Sequence, residues 1–176
     1  MSTPADPLLA ITKLYHFTDV RNLPLIKKLD GLWATAKLRK GNTEFFPGGN
    51  QWSLDQDVNT GVDYYVHLCW DRNHHMEKNI RERDKDIKLF YLEIDRLILY
   101  EPGVLFTPDV ANGKNVPRHT VPEAVAGEMI DYDALNRKIG SLGESTNQMR
   151  RQKAERTEIL VPERVAMKWI TNFPHG

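Results

Sequence analysis

Two short apolar runs, each with polar groups set into it, stand at opposite ends of this chain: Leu14-Tyr15-His16-Phe17-Thr18 and Thr157-Glu158-Ile159-Leu160-Val161-Pro162. Apolar alternation over this length reads as strand, and strands distant in sequence can be neighbours in space. As neighbours, His16, Thr18 and Glu158 would line one cleft with an imidazole, a hydroxyl and a carboxylate. A cleft of that kind can bind and cleave a sugar-linked substrate.

Between the two runs, Asn22, Pro24 and Leu25-Ile26-Lys27-Lys28-Leu29 predict a short helix, with Pro24 in its first turn and Gly31 ending it. Residues 42–60 mix Gly, Asn, Asp and Gln with little periodicity and are expected to form a long irregular loop, a kind that is functional or mobile. Asp63-Tyr64-Tyr65-Val66-His67-Leu68-Cys69-Trp70 predicts a buried strand, and the dense charge over 71–84 a solvated helix. Residues 87–94 alternate as a second central strand, Leu89, Tyr91 and Glu93 on one face and Phe90, Leu92 and Ile94 on the other. Gly103-Val104-Leu105-Phe106-Thr107 predicts another short strand. Beyond it, Pro117, Pro122, Gly127, Gly140 and Gly143 punctuate short helical pieces over 121–126 and 132–138. A basic helix over 147–156 then leads into the Glu158 strand, and 164–170 makes a last one. Strands scattered among short helices, without regular alternation, predict an α+β domain rather than a doubly wound sheet.

At 176 residues the chain suits one domain with its own core, over residues 11–176 behind a flexible tail over 1–10. A hydrophobic share of 40%, a charged share of 27% and zero formal net charge exclude disordered, collagenous and membrane-spanning classes. Overall charge names no partner. Cys69 is the only cysteine, so an internal disulfide and an all-cysteine zinc site are excluded, as suits a reducing cytoplasm. Residues 1–7 show no charged leader followed by an apolar stretch, and no later run reaches transmembrane length. The expected location is the cytoplasm, with no membrane partner.

Each candidate site residue has a plainer reading beside the functional one. His16 could be a core or surface histidine, and Glu158 could lie on an exposed strand face. His67, Cys69, His74 and His75 offer zinc-ligand types, but their spacing matches no closed four-ligand pattern, so no metal is expected. Gly48-Gly49 precedes no lysine-serine pair, so a phosphate loop or dinucleotide fingerprint is absent. Arg150, Arg151, Lys153 and Arg156, with Arg137 and Lys138 upstream, form either a solvated helix face or a phosphate-tracking surface beside Glu158.

Four blocks, in order, carry a family resemblance over nearly the whole chain. Tyr15-His16-Phe17-Thr18-Asp19-Val20-Arg21-Asn22-Leu23-Pro24 followed by Gly31-Leu32 resembles the opening of the DarT-like ADP-ribosyltransferases, toxins that modify nucleic acid bases. Asp63-Tyr64-Tyr65-Val66 with Trp70 and His75-Met76 resembles the second block, and Phe106-Thr107 with Ala111-Asn112 the third. Lys153-Ala154-Glu155-Arg156-Thr157-Glu158-Ile159-Leu160-Val161-Pro162 resembles the catalytic strand.

The resemblance implies a split β-sheet transferase core that uses NAD as donor, with Glu158 as the catalytic carboxylate. Breaking the nicotinamide–ribose bond develops an oxocarbenium-like sugar, and a carboxylate holding a ribose hydroxyl stabilises that charge as it forms. His16 and Thr18 are then expected to hold a ribose of NAD, Asn22 to add a polar contact, and Tyr65 or Trp70 to offer a surface to the nicotinamide ring. Arg150, Arg151 and Arg156 are expected on the nucleic acid, DNA or RNA, and an antitoxin protein is an expected partner in a toxin-antitoxin or phage-defence system. The chain departs from the family where thymidine-modifying members carry an arginine-rich stretch. Here the residues are Trp52-Ser53-Leu54-Asp55-Gln56-Asp57-Val58-Asn59, and Arg39, beside Lys37 and Lys40, is the nearest basic substitute. Two rival classes are a nuclease-like enzyme using His16 and His67 as acid and base, and a catalytically silent binding module of the same fold.

Overall fold

The computed structural model describes residues 6–72, 75–136 and 144–174. The first strand, β1 (Lys13–Asp19), ends where the Asp19 carboxylate accepts from the Arg21 amide and turns the chain. Helix α1 (Leu23–Lys28) carries Pro24 in its first turn, where a missing N–H breaks no intrahelical bond. Strand β2 (Gly31–Trp33) and helix α2 (Thr35–Lys40) follow directly.

Helix α3 (Gln51–Thr60) occupies the second half of the segment expected to be a loop. The Asn50 side chain caps it by accepting from the Ser53 amide at 2.8 Å, and Gly61, at φ +70°, supplies the left-handed turn that ends it. Of its ten residues only Ser53 is buried, while Trp52 is 67% exposed and Val58 49%. The helix therefore lacks the apolar stripe from which a helical period could be read.

Strand β3 (Tyr65–Leu68) comes next, then helix α4 (His75–Arg83) and strand β4 (Leu89–Asp95). Helix α4 is shorter than expected and not wholly solvated, because Ile80 is buried and Glu77 accepts from the Tyr91 hydroxyl on β4. Strands β5 (Leu105–Thr107) and β6 (His119–Thr120) lead into helix α5 (Val121–Ala126), which opens with a Thr120–Glu123 capping box. Helices α6 (Tyr132–Leu135) and α7 (Glu144–Glu155) follow, packed together through Ala134 and Ala154. Strand β7 (Glu158–Pro162) and strand β8 (Arg164–Ala166) complete the order, with a single 3-10 turn after β8 where a longer strand was expected. His74, Arg137 and Lys138 lie outside the described residues.

These elements make the expected α+β fold from three antiparallel sheets: β1–β4, β2–β8, and β3–β7–β5–β6 in that spatial order. Pairing of β2 with β8 needs glycine at residue 31, because a Cβ there would lie 2.3 Å from the Val165 carbonyl oxygen at φ +142°. The main core lies behind the sheets, where Leu14, Leu68, Leu92, Ile94, Phe106, Ile159 and Val161 are almost fully buried. Each such side chain contributes about 1.5–3 kcal/mol on removal from water.

The sheet is split at one point. Tyr15 and Cys69 exchange both backbone hydrogen bonds, 2.7 and 2.8 Å, and join β1 to the edge of β3. In an antiparallel ladder the next such pair would be Phe17 with His67. Among the described residues no further pair forms, so β1 and β3 diverge beyond the bridge and a cleft opens between them.

Candidate active site

The divergence is filled by a side chain. His16 Nδ1 lies 2.9 Å from the His67 carbonyl oxygen, the acceptor the ladder would have used next. A carbonyl only accepts, so Nδ1 carries the proton. Burial holds the imidazole below its ordinary pKa, and the neighbouring His67 pushes it the same way, against the hydrogen bond. His16 is therefore neutral near pH 7, with Nε2 as a bare acceptor in the cleft wall.

Thr18, two residues along the same strand face, is buried, and its hydroxyl accepts from Asn22 Nδ2 at 3.1 Å. Asn22 spends the rest of its amide on one backbone unit. Nδ2 donates to the Phe46 carbonyl and Oδ1 accepts from the Phe46 amide, both at 2.8 Å. It thereby ties the 45–49 segment beside β1. Over that segment the Arg21 guanidinium stacks on the Phe46 ring at 3.9 Å, itself paired with Asp19.

Across the cleft, Glu158 opens β7. Its neighbours Ile159 and Val161 face the main core, which turns Glu158 and Leu160 to the other side. The register sets His67 opposite Leu160, so Glu158 sits one diagonal step from His67 on the same face. Glu158 is 5% exposed, and its Oε2 accepts from His67 Nδ1 at 3.2 Å and from the Ala111 amide at 3.0 Å. Behind it, the Thr157 hydroxyl donates to the Ala154 carbonyl and closes the end of α7.

His67 has acceptors at both ring nitrogens, because Nε2 lies 3.1 Å from the Val62 carbonyl oxygen. Burial opposes a charge there, but the Glu158 hydrogen bond and charge, the Asp57 charge and the Val62 carbonyl outweigh it and push the pKa up to about 9. Asp57, from α3, accepts from Asn112 Nδ2 at 2.8 Å, and that amide also reaches the Ser53 hydroxyl at 3.3 Å. Burial pushes the Asp57 carboxyl up, and the charges of Glu158 and Asp63 add to that, against His67 and Asn112. Asp57, Asn112 and Ser53 were not expected in this site, and His67 only under the nuclease reading.

His16, Thr18, Asn22, Ser53, Asp57, His67, Asn112 and Glu158 line one cavity of about 220 Å³. Its polar wall is His16, Thr18, Asp57, His67, Asn112 and Glu158, and its apolar end is Leu25, Ile26, Leu29, Leu32, Leu38 and Phe45. Tyr65 lines the wall, whereas Trp70 does not. The Trp70 indole sits in the core, 7% exposed, with its ring 6.4 Å from that of Phe106. Cys69 also lines the cavity, but burial pushes its thiol well above the ordinary range, so it is no nucleophile. Among the described residues no group of three His, Cys, Asp or Glu is placed to hold a metal.

The basic stretch is largely occupied elsewhere. Arg150 makes a forked pair with Asp131, 2.8 and 2.7 Å, and Arg156 Nε donates to Asp109 at 2.7 Å. Arg151 is exposed on α7, and none of the three lines the cavity. Arg39 is exposed on α2 and Lys37 pairs with Glu163, so neither reaches the cleft. The segment 52–59, which carries no arginine, presents Ser53, Leu54 and Asp57 to the cavity.

A family model described as "ssDNA thymidine ADP-ribosyltransferase, DarT" matches residues 15–173. The chain belongs to the DarT family. The matched span runs from the bridge residue Tyr15 through Glu158 and so contains both walls of the cleft. Solved structures agree in fold. Thermus sp. 2.9 DarT in complex with ADP-ribosylated ssDNA superposes with a TM-score of 0.67 at 14% identity, over 91% of this chain and 79% of that one. Thermus sp. 2.9 DarT in complex with NAD+ gives 0.62 at 15% identity over the same shares. Thermosipho africanus DarTG in complex with ADP-ribose gives 0.64 at 15% identity, and this chain spans 43% of that chain's length. A search of curated protein sequences returns no match. As a DarT family member, the chain has its split sheet and its cleft in a fold shared with NAD- and ADP-ribose-bound structures.

Proposed function

We propose that this chain is an NAD-dependent ADP-ribosyltransferase that modifies a base of single-stranded DNA, with Glu158 as its catalytic residue. The observation that carries the reading is the buried Glu158 carboxylate facing a cleft whose opposite wall is His16 and Thr18. Hydrogen-bond acceptors on both walls of a strand divergence suit a ribose, which offers hydroxyls to both.

The residues present fit such a donor. His16 Nε2 accepts from a ribose hydroxyl, Thr18 orients a second contact, and Tyr65 with the apolar end of the cavity receives a flat ring. The bond that NAD supplies is the nicotinamide–ribose linkage, whose cleavage leaves positive charge on the sugar. Glu158 accepts from a ribose hydroxyl on that sugar and meets the charge with its own. The low exposure of Glu158 excludes water, which strengthens that interaction. Asn22 acts at one remove, holding the 45–49 segment against the cleft through Phe46.

The nuclease reading is disfavoured by the same geometry. Both ring nitrogens of His67 are engaged with acceptors and Nδ1 of His16 is tied to the His67 carbonyl, so the pair offers no acid and base poised together.

Growth inhibition as the toxin of a toxin-antitoxin or phage-defence pair follows from modifying template bases, with an antitoxin protein as partner and the cytoplasm as location. Among the described residues no helix is long and apolar enough to cross a membrane. Incubation with labelled NAD and separate pools of single-stranded DNA, RNA and protein tests the reading. Label on the DNA pool is expected. Label on RNA or protein instead overturns the acceptor class, and label on none overturns the activity.

A further inference from the structure

We propose that His67 is a positioning residue for this transfer: its imidazolium holds the Glu158 carboxylate in one orientation, and Asp57 offsets the imidazolium charge so that the cleft keeps a net negative charge toward the ribose. The proposal rests on the reading of the cleft as a transferase site. It goes beyond that reading in giving the segment without arginines a function.

The protonation state follows from geometry. Nδ1 faces a carboxylate oxygen at 3.2 Å and Nε2 a carbonyl oxygen at 3.1 Å. Neither partner can donate, so both nitrogens carry protons when both contacts are made. Glu158 Oε2 thus receives two donors, His67 Nδ1 and the Ala111 amide. With Oε2 held by these two donors, the carboxylate is fixed in one orientation in the wall of the cavity. Preorganised groups of this kind reorganise little during reaction.

The charges explain Asp57. A lone imidazolium beside Glu158 would cancel the carboxylate just where positive charge must develop on the sugar. Asp57, reaching the same cavity from α3, restores one negative charge to the trio. Asn112 holds Asp57 through its amide at 2.8 Å. The groups that face His67 are Glu158 from β7, Asp57 from α3, His16 from β1 and the Val62 carbonyl, and Cys69, just past β3, lines the same cavity. His16 is neutral and Cys69 is a protonated thiol, so Asp57 and Glu158 set the balance.

The test measures kcat and KM for NAD with the full chain and a single-stranded oligonucleotide, from about pH 6 to about pH 10. The proteins are wild type, His67→Asn and Asp57→Asn. His67→Asn loses the Nε2 contact to the Val62 carbonyl and the charge on the donor, so the Glu158 carboxylate is no longer held in one orientation. The expected result is a wild-type profile with an alkaline limb near pH 9, and for H67N the loss of that limb with kcat lower by on the order of 100-fold and KM within about threefold. For D57N, which leaves the remaining pair neutral, kcat falls and KM holds. Wild-type kcat in H67N, or an alkaline limb unchanged by the substitution, overturns the proposal. If H67N does not fold, D57N decides, and full kcat in D57N overturns the charge offset. Absence of transfer by wild type itself overturns the functional reading instead, so the two failures are distinguishable.

Discussion

His16 Nδ1 donates to the His67 carbonyl oxygen at 2.9 Å, in the place where Phe17 would have continued the ladder between β1 and β3. One imidazole therefore both satisfies the backbone group that the split would strand and presents its second nitrogen to the cleft. The side chain that wedges the strands apart is thus also part of the cavity wall.

Separating those two functions is possible by substitution. His16→Ala leaves the His67 carbonyl without its partner and should cost about 1–3 kcal/mol of stability. His16→Asn keeps a donor at the position of Nδ1 but has no Nε2, so it should recover most of that stability and still bind NAD about tenfold more weakly. Thermal melting and calorimetric titration with NAD check both.

Glu158 should be tested as Gln, not Ala. Glu158→Ala leaves both the His67 imidazolium and the buried Ala111 amide without an acceptor, a loss of about 3–5 kcal/mol. Glu158→Gln keeps an oxygen for the Ala111 amide. Its expected phenotype is a folded protein with NAD affinity within a few-fold of wild type and transfer reduced by about 100- to 1,000-fold. Calorimetry and single-turnover labelling read the two effects separately.

Stability should depend on pH through His67. Its folded pKa, about 9, lies above its ordinary 6.5, so the folded state holds the proton more tightly than the unfolded state. The contribution is fully present below about pH 6.5 and is lost as pH rises through about 9. Melting temperature should fall over that window in wild type, and His67→Asn should remove this part of the decline.

On α7, the arginines should divide by their partners. Arg150 is already forked to Asp131, so Arg150→Ala should lower the melting temperature and barely change DNA affinity. Arg151 is exposed, and Arg151→Ala should weaken binding to single-stranded DNA and reduce the salt slope by about 0.7. Binding isotherms at several salt concentrations separate the two.

The strands were legible because they alternate. Leu92 and Ile94 on β4 and Ile159 and Val161 on β7 are buried on one face, as their spacing predicts. Helix α3 was not legible, because Trp52 and Val58 face solvent and its ends are set by a cap and a glycine. Glu158, His16 and Thr18 came from ordered blocks of resemblance, and periodicity alone left each of them with a plainer reading. Asp57, His67 and Asn112 meet only through pairing across the fold, and His67 is 91 residues from Glu158. Local pattern carries no trace of such a contact. Trp70 shows the opposite case, an aromatic residue of the matched block whose ring packs into the core against Phe106.

The most direct measurement of the central claim is mass analysis of a single-stranded DNA oligonucleotide after incubation with NAD and either wild type or Glu158→Gln. An ADP-ribose adduct on a base with wild type, absent with the variant, is the predicted result. An unmodified oligonucleotide with folded, NAD-binding wild type, or an equal adduct with the variant, would contradict it.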